Sequence, residues 1–179
     1  MKTVCFITGT NGVGKTTLAN AIIEHYGGVC AFENKISYLK EGGVSFVGKY
    51  EGQKYGGVDW LNETKRLPYY VGIVLQSSEI VFCEGKFLKS FSLPLQEALF
   101  LGQRQFVFNL FASPKLLYDR LLERGGGGAN MKYVIADEYT AMRNAKLWKQ
   151  IGVNVLQFDT GLLSVEQIKE EVLCKINSK

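Results

Sequence analysis

Apolar and β-branched residues gather in short runs at residues 4–8, 29–33, 79–84, 105–111 and 153–158, and most of the stretches between them carry apolar positions at helical spacing. Short apolar runs separated by amphipathic helices read as strands of a parallel sheet that is covered on both faces. The pattern therefore predicts an α/β, three-layer fold with a central five-stranded parallel sheet. Residues 16–26 put Leu18, Ile22 and Tyr26 on one helical face and stop at Gly27-Gly28, a C-cap signal. Ser113-Pro114 opens a helix with Leu117 and Leu121 on one face. Proline suits that first turn because no N–H is needed there. The last helix has Ser164 and Gln167 spaced as a capping box, Leu163 and Ile168 as a hydrophobic staple, and an apolar stripe of Ile168, Val172 and Ile176. Pro68 falls inside the helical pattern of 62–76, so that helix should start, kink or restart there.

Two regions interrupt the alternation. Residues 35–60 contain Ile36-Ser37-Tyr38-Leu39-Lys40, a Glu41-Gly42-Gly43 turn and Val44-Ser45-Phe46-Val47-Gly48-Lys49-Tyr50, which read as a β-hairpin inserted after the second strand. Gly125 to Gly128 form a glycine run between two helices, the composition of a mobile lid covering about residues 124–136. No internal repeat is present. Residues 1–179 read as one domain, since 179 residues with 46% apolar content provide one substantial core.

Composition narrows the class a little further. No apolar run reaches the roughly 20 residues that span a bilayer. Met1-Lys2-Thr3 enters a strand without a signal-peptide region, so a soluble, cytoplasmic protein is expected. Cys5, Cys30 and Cys83 lie in strand-like runs and Cys174 in a helix, with no C-x-x-C pair, which predicts free buried thiols rather than a metal site or disulfides. The net charge of +4 suits an anionic ligand without separating a mononucleotide from a nucleic acid.

The chemistry starts at Gly9-Thr10-Asn11-Gly12-Val13-Gly14-Lys15-Thr16, a G-x-x-x-x-G-K-[ST] loop between the first strand and the first helix. Its glycines allow backbone N–H groups to turn inward on an anion, and the helix aims its positive end at the same place. Lys15 is expected to reach the β- and γ-phosphates of ATP, with Thr16 on Mg²⁺ and Thr17 completing the nucleotide-binding set. A second carboxylate is needed near the phosphates. Glu84, closing the run Ile80-Val81-Phe82-Cys83, supplies one as a Mg²⁺ ligand or as the base for an attacking hydroxyl. Arg120 and Arg124, one helical turn apart, and Arg143 beyond the glycine run are candidates to stabilise the transferring phosphoryl group. In residues 48–60, glycine, lysine and aromatic residues surround Asp59, which is either an acceptor-binding residue and rival base to Glu84 or a cap for the helix near Asn62. Lys65, Arg66, Tyr69 and Tyr70 continue this character, making residues 35–60 and the following helix the candidate acceptor site. His25, near a helix end, is not expected to be catalytic.

The loop at residues 9–16, the Glu84 strand, the strand at 106–111 followed by Ser113-Pro114 and Arg120/Arg124, and the closing Phe158-Asp159-Thr160 together resemble the P-loop kinases of the nucleoside and nucleoside-monophosphate kinase group. The resemblance implies a five-stranded parallel sheet, ATP and Mg²⁺, a mobile lid, and γ-phosphoryl transfer to a hydroxyl or phosphate of a nucleoside- or nucleotide-type acceptor. There are departures. Thymidylate and deoxynucleoside kinases typically place Asp-Arg or Glu-Arg after the third strand, whereas Gly85-Lys86 follows Glu84 here. Adenylate kinases carry arginines in a helical insert, whereas this insert reads as a hairpin. The Tyr55-Gly56-Gly57-Val58-Asp59 pattern is similar to that of phage-encoded P-loop kinases, which include proposed kinases of 5-hydroxymethyluracil in DNA. That likeness implies DNA as an alternative partner and the host cytoplasm as location.

Two other classes are weaker. A signalling GTPase would carry an Asn-Lys-x-Asp motif, which the sequence lacks. An ATP-regulated nucleic-acid-binding module draws support only from the Lys/Tyr-rich insert.

Overall fold

The protein is described from a computed structural model covering residues 1–27, 30–33, 36–39, 43–50, 57–61, 64–125 and 130–178. Its strands are β1 (Thr3–Thr8), β2 (Cys30–Glu33), β3 (Ile36–Leu39), β4 (Val44–Val47), β5 (Ile80–Glu84), β6 (Arg104–Phe111) and β7 (Asn154–Asp159). They form one seven-stranded sheet in the order β2-β3-β4-β5-β1-β6-β7. The five strands from β4 to β7 in that order are parallel, while β2 and β3 extend one edge antiparallel.

The five-stranded parallel core thus matches expectation, but one of its strands comes from elsewhere. The run at 29–33 was expected inside it; β4, from the supposed inserted hairpin, takes that place beside β5. The reason is burial. All four residues of β4 are buried, with Val44 and Phe46 facing one core and Val47 the other, as an interior parallel strand requires. Ser45, 2% exposed, is accommodated because its hydroxyl pairs with that of Ser78 at 2.6 Å. The β3–β4 pairing is antiparallel, as a hairpin demands, so the hairpin exists but builds the sheet rather than projecting from it. Residues 40–42 of its turn lie outside the described residues.

Strand alternation divides the core in two. Cys5 and Ile7 of β1 pack with α1 (Lys15–His25) and α6 (Val165–Asn177), whereas Val4 and Phe6 pack with α2 (Leu67–Ser77) and α3 (Leu93–Phe100). α4 (Pro114–Glu123) adds Leu117 to the first cluster. α5 (Met131–Gln150) contributes Val134 to the first and Trp148 to the second. Phe6 and Phe91 both meet the Trp148 ring edge-on, with centroids 6.2 and 4.8 Å away.

Local signals map onto these elements. The Ser113 hydroxyl accepts from the Leu116 N–H, and Ser164 with Gln167 forms the complete capping box. Pro68 lies in the first turn of α2, after a 3-10 turn at Thr64–Arg66, so it starts the helix rather than kinking it. Cys5 and Cys83 are buried free thiols as expected, but Cys174 is exposed. Among the described residues no helix is long and apolar enough to cross a membrane.

Candidate active site

β1 delivers the chain to the phosphate loop at the carboxyl edge of the parallel strands, the place where sheets of this kind bind ligands. Gly9 has φ +132°, and a Cβ there would lie 2.4 Å from the Leu110 carbonyl oxygen, so only glycine lets the loop leave the strand against β6. Gly12 and Val13 are buried, Asn11 is exposed, and Gly14 is the residue before α1. Thr16 and Thr17 lie exposed in the first turn of α1. Lys15 is 7% exposed, and its Nζ donates to the Thr10 carbonyl at 2.7 Å. Burial lowers its pKa, opposed by the nearby Glu84 and Asp59 carboxylates.

Glu84 ends β5 opposite Ile7 of β1, which brings its carboxylate to the loop. The Thr16 hydroxyl donates to Glu84 Oε1 at 3.1 Å. Glu84 is 2% exposed, and burial raises its pKa to about 7 against the opposing influence of Lys15 and the Thr16 hydrogen bond. Its Oε2 is buried with no hydrogen-bond partner among the described residues. An unsatisfied carboxylate oxygen beside a hydroxyl is a donor set for a hard, oxygen-seeking cation, so Thr16 and Glu84 fit Mg²⁺.

Asp59 belongs to the same neighbourhood by a different route from the helix cap expected near Asn62, a residue outside the described set. Its Oδ2 accepts from the Lys86 N–H at 2.9 Å and its Oδ1 from the Phe87 N–H at 3.4 Å, fastening the 3-10 turn at Lys86–Lys89 that follows Glu84. Gly57 makes this approach possible. A Cβ at Gly57 would lie 2.0 Å from the Glu84 carbonyl oxygen and 2.4 Å from Oε2. Of the rest of the candidate acceptor segment, Tyr70 is 9% exposed and packs in the core, whereas Tyr69 is 66% exposed and Lys65 and Arg66 are also exposed. Residues 51–56 lie outside the described residues.

The arginines separate. Arg120 donates from Nη1 to the Thr160 hydroxyl at 2.9 Å and from Nη2 to the Thr160 carbonyl at 2.8 Å, tying α4 to the end of β7. Arg120 and Arg124, with Gly12, Gly14, Thr17 and Thr160, line a pocket of about 280 Å³ opening beside the phosphate loop, with Leu163, Val165 and Ile168 along an apolar wall. Arg143 is not part of this group. It is exposed on α5, whose packed face carries Val134, Ala141, Ala145 and Trp148. The glycine run begins at Gly125, with φ +75°, and residues 126–129 lie outside the described residues. His25 is exposed and meets Tyr26 edge-on at 5.1 Å.

Glu138 was not among the sequence candidates. It is 8% exposed on α5 and accepts from the Thr10 hydroxyl at 3.1 Å, so a second buried carboxylate touches the phosphate loop. Burial raises its pKa, and the hydrogen bonds from Thr10 and the Ala112 backbone oppose the rise. The signal was present in the periodicity. Glu138 stands in the stripe Val134, Glu138, Ala141, Ala145 and Trp148, where a packing residue would be apolar.

No protein-family model matches the chain, and no curated protein matches it. Solved structures do. A deoxyadenosine kinase from M. mycoides with bound dCTP superposes with a TM-score of 0.53 at 18% identity, covering 98% of this chain and 100% of that one. The YorR protein of Bacillus subtilis in complex with phosphorylated GDP gives 0.60 at 13% identity, covering 97% and 95%. A sugar kinase from Janibacter sp. HTCC2649 gives 0.59 at 14% identity, covering 99% and 95%. The chain therefore has the α/β fold of P-loop kinases along nearly its whole length.

Proposed function

We propose that this chain is an ATP- and Mg²⁺-dependent P-loop kinase that transfers the γ-phosphoryl group to a hydroxyl of a nucleoside- or nucleotide-type acceptor. The observation that carries the reading is the Glu84 carboxylate, buried within hydrogen-bond reach of Thr16 and electrostatically coupled to Lys15. A phosphoryl-transfer site needs a cation on the phosphates, a metal ligand and a group to orient the nucleophile. Lys15, Thr16 and Glu84 fill those positions. The kinase names of two structures similar in fold support the same class.

Thr16 and Glu84 would hold Mg²⁺, which when bound neutralises charge on the β- and γ-phosphates. Burial holds the pKa of metal-free Glu84 at about 7, so a Glu84 that reaches Mg²⁺ only through water suits transient acceptance of a hydroxyl proton. Asp59 already accepts from two backbone N–H groups, which favours a shaping role for it on the acceptor side and the base role for Glu84. A carboxylate placed to take a proton serves a hydroxyl acceptor, whereas an ionised phosphate oxygen attacks without giving one up. The pocket beside Gly12, Gly14 and Thr17 suits the nucleoside part of the donor, with Arg120 and Arg124 at its rim.

The test is incubation with γ-labelled ATP and Mg²⁺ against nucleosides, nucleoside monophosphates, ordinary DNA and DNA containing 5-hydroxymethyluracil. Label on nucleosides would make this a metabolic kinase. Label confined to hydroxymethylated DNA would make it a DNA-modifying kinase acting through residues 48–60. Label only on the phosphate of monophosphates overturns the hydroxyl assignment, and no labelled acceptor, with DNA affinity that responds to ATP, favours the nucleic-acid-binding module.

A further inference from the structure

α5 reaches both sides of this site through adjacent carboxylates. Asp137 pairs with Lys89 Nζ at 2.6 Å, and Asn144 Nδ2 donates to the Lys89 carbonyl at 2.8 Å, so the helix grips the end of the turn that follows Glu84. Glu138 grips the phosphate loop through the Thr10 hydroxyl at 3.1 Å. Thr10 is 2% exposed, and its carbonyl is the group on which Lys15 Nζ rests at 2.7 Å. Burying a carboxylate costs free energy unless hydrogen bonds offset it, and an apolar residue at position 138 would complete the packed stripe without that cost. The carboxylate therefore does something packing does not.

We propose that Glu138 is a positioning residue: by holding the Thr10 side chain it fixes the carbonyl that anchors Lys15, and so sets the affinity of the loop for the terminal phosphates of the donor nucleotide. It touches no substrate itself. Its influence runs through Thr10 to Lys15 and ends there, so the nucleoside and α-phosphate are held independently of it. The inference rests on the nucleotide-binding part of the function proposed above and not on the identity of the acceptor.

The experiment is calorimetric titration of the full chain with MgATP and with AMP, for wild type, Glu138→Ala, Thr10→Val and the double variant, with thermal unfolding as a check of folding. Glu138→Ala should weaken ATP binding about tenfold, which corresponds to about 1.4 kcal/mol of lost positioning in the bound state. AMP binding should stay within about twofold, and adding Thr10→Val to Glu138→Ala should cost nothing further in ATP binding, because the Thr10 link is already broken and the Ala112 backbone contact of Glu138 does not lead to Lys15. Glu138→Gln, which keeps an acceptor oxygen, should recover most of the ATP affinity. If Glu138→Ala does not fold, Thr10→Val against Thr10→Ser tests the same link from its other end. Unchanged ATP binding in a folded variant, equal losses for ATP and AMP, or additive losses would each overturn the proposal. Wild type that binds ATP more tightly than AMP but labels no acceptor would remove the kinase reading and leave this one standing. Wild type with no preference for ATP would end both.

Discussion

Glu84 joins three unusual properties in one side chain: it is 2% exposed, burial raises its pKa to about 7, and it accepts a hydrogen bond from Thr16. If it is the base, turnover should rise with pH through an apparent pKa at or below about 7, lower with Mg²⁺ bound because a cation favours the carboxylate. Glu84→Gln should cut turnover by about 10²–10⁴-fold and flatten that rise, measured as a pH–rate profile of labelled product. Gly57→Ala tests the packing around it. The new methyl would strike the Glu84 carbonyl and carboxylate, so loss of about 1–3 kcal/mol of stability and most of the activity is expected in denaturant melts and transfer assays. Lys15, Thr16 and Glu84 were legible because each is announced locally, by motif spacing or by the end of an apolar run. Glu138 was announced only by its place in the otherwise apolar stripe of α5, and its role was hidden because its partner Thr10 is 128 residues away.

Elements whose signals are contained in a few neighbouring residues were readable from the chain. Ser113 with Pro114, and Ser164 with Gln167, specify helix starts by capping chemistry alone, and both caps are formed. Ser164→Ala should lower stability by about 1 kcal/mol without changing transfer, read from urea melts. The choice between the 29–33 run and β4 for the parallel sheet was not local. Both are short and apolar, and what decides is that Val44, Phe46 and Val47 can be buried on both faces beside β5, a property of the packed sheet. α5 depends on tertiary contacts in the same way. Trp148, 1% exposed and ringed by Phe6 and Phe91, should cost about 3–5 kcal/mol when changed to Ala, detectable as a large loss in thermal stability.

Across the whole molecule, the strand order places Glu84 and the phosphate loop side by side, and α5 braces both. Such a site carries a stability cost that depends on pH. Burial holds the Glu84 pKa at about 7 in the folded state, above the 4.5 of an ordinary exposed glutamate, so the folded state keeps a proton that the unfolded chain has lost. Stability contributed by that proton is complete below about pH 4.5 and is lost as pH rises to about 7. Denaturant midpoints should therefore fall between those limits, and Glu84→Gln should remove much of the slope, with Glu138 supplying part of the remainder. The account as a whole turns on where the γ-phosphoryl group goes. The most direct measurement follows γ-labelled ATP with the labelled acceptor and free phosphate counted separately, for wild type and for Lys15→Ala. The account predicts label on an acceptor hydroxyl, little free phosphate when acceptor is absent, and neither product from Lys15→Ala. Rapid release of free phosphate with no labelled acceptor, or near-normal transfer by Lys15→Ala, would contradict it.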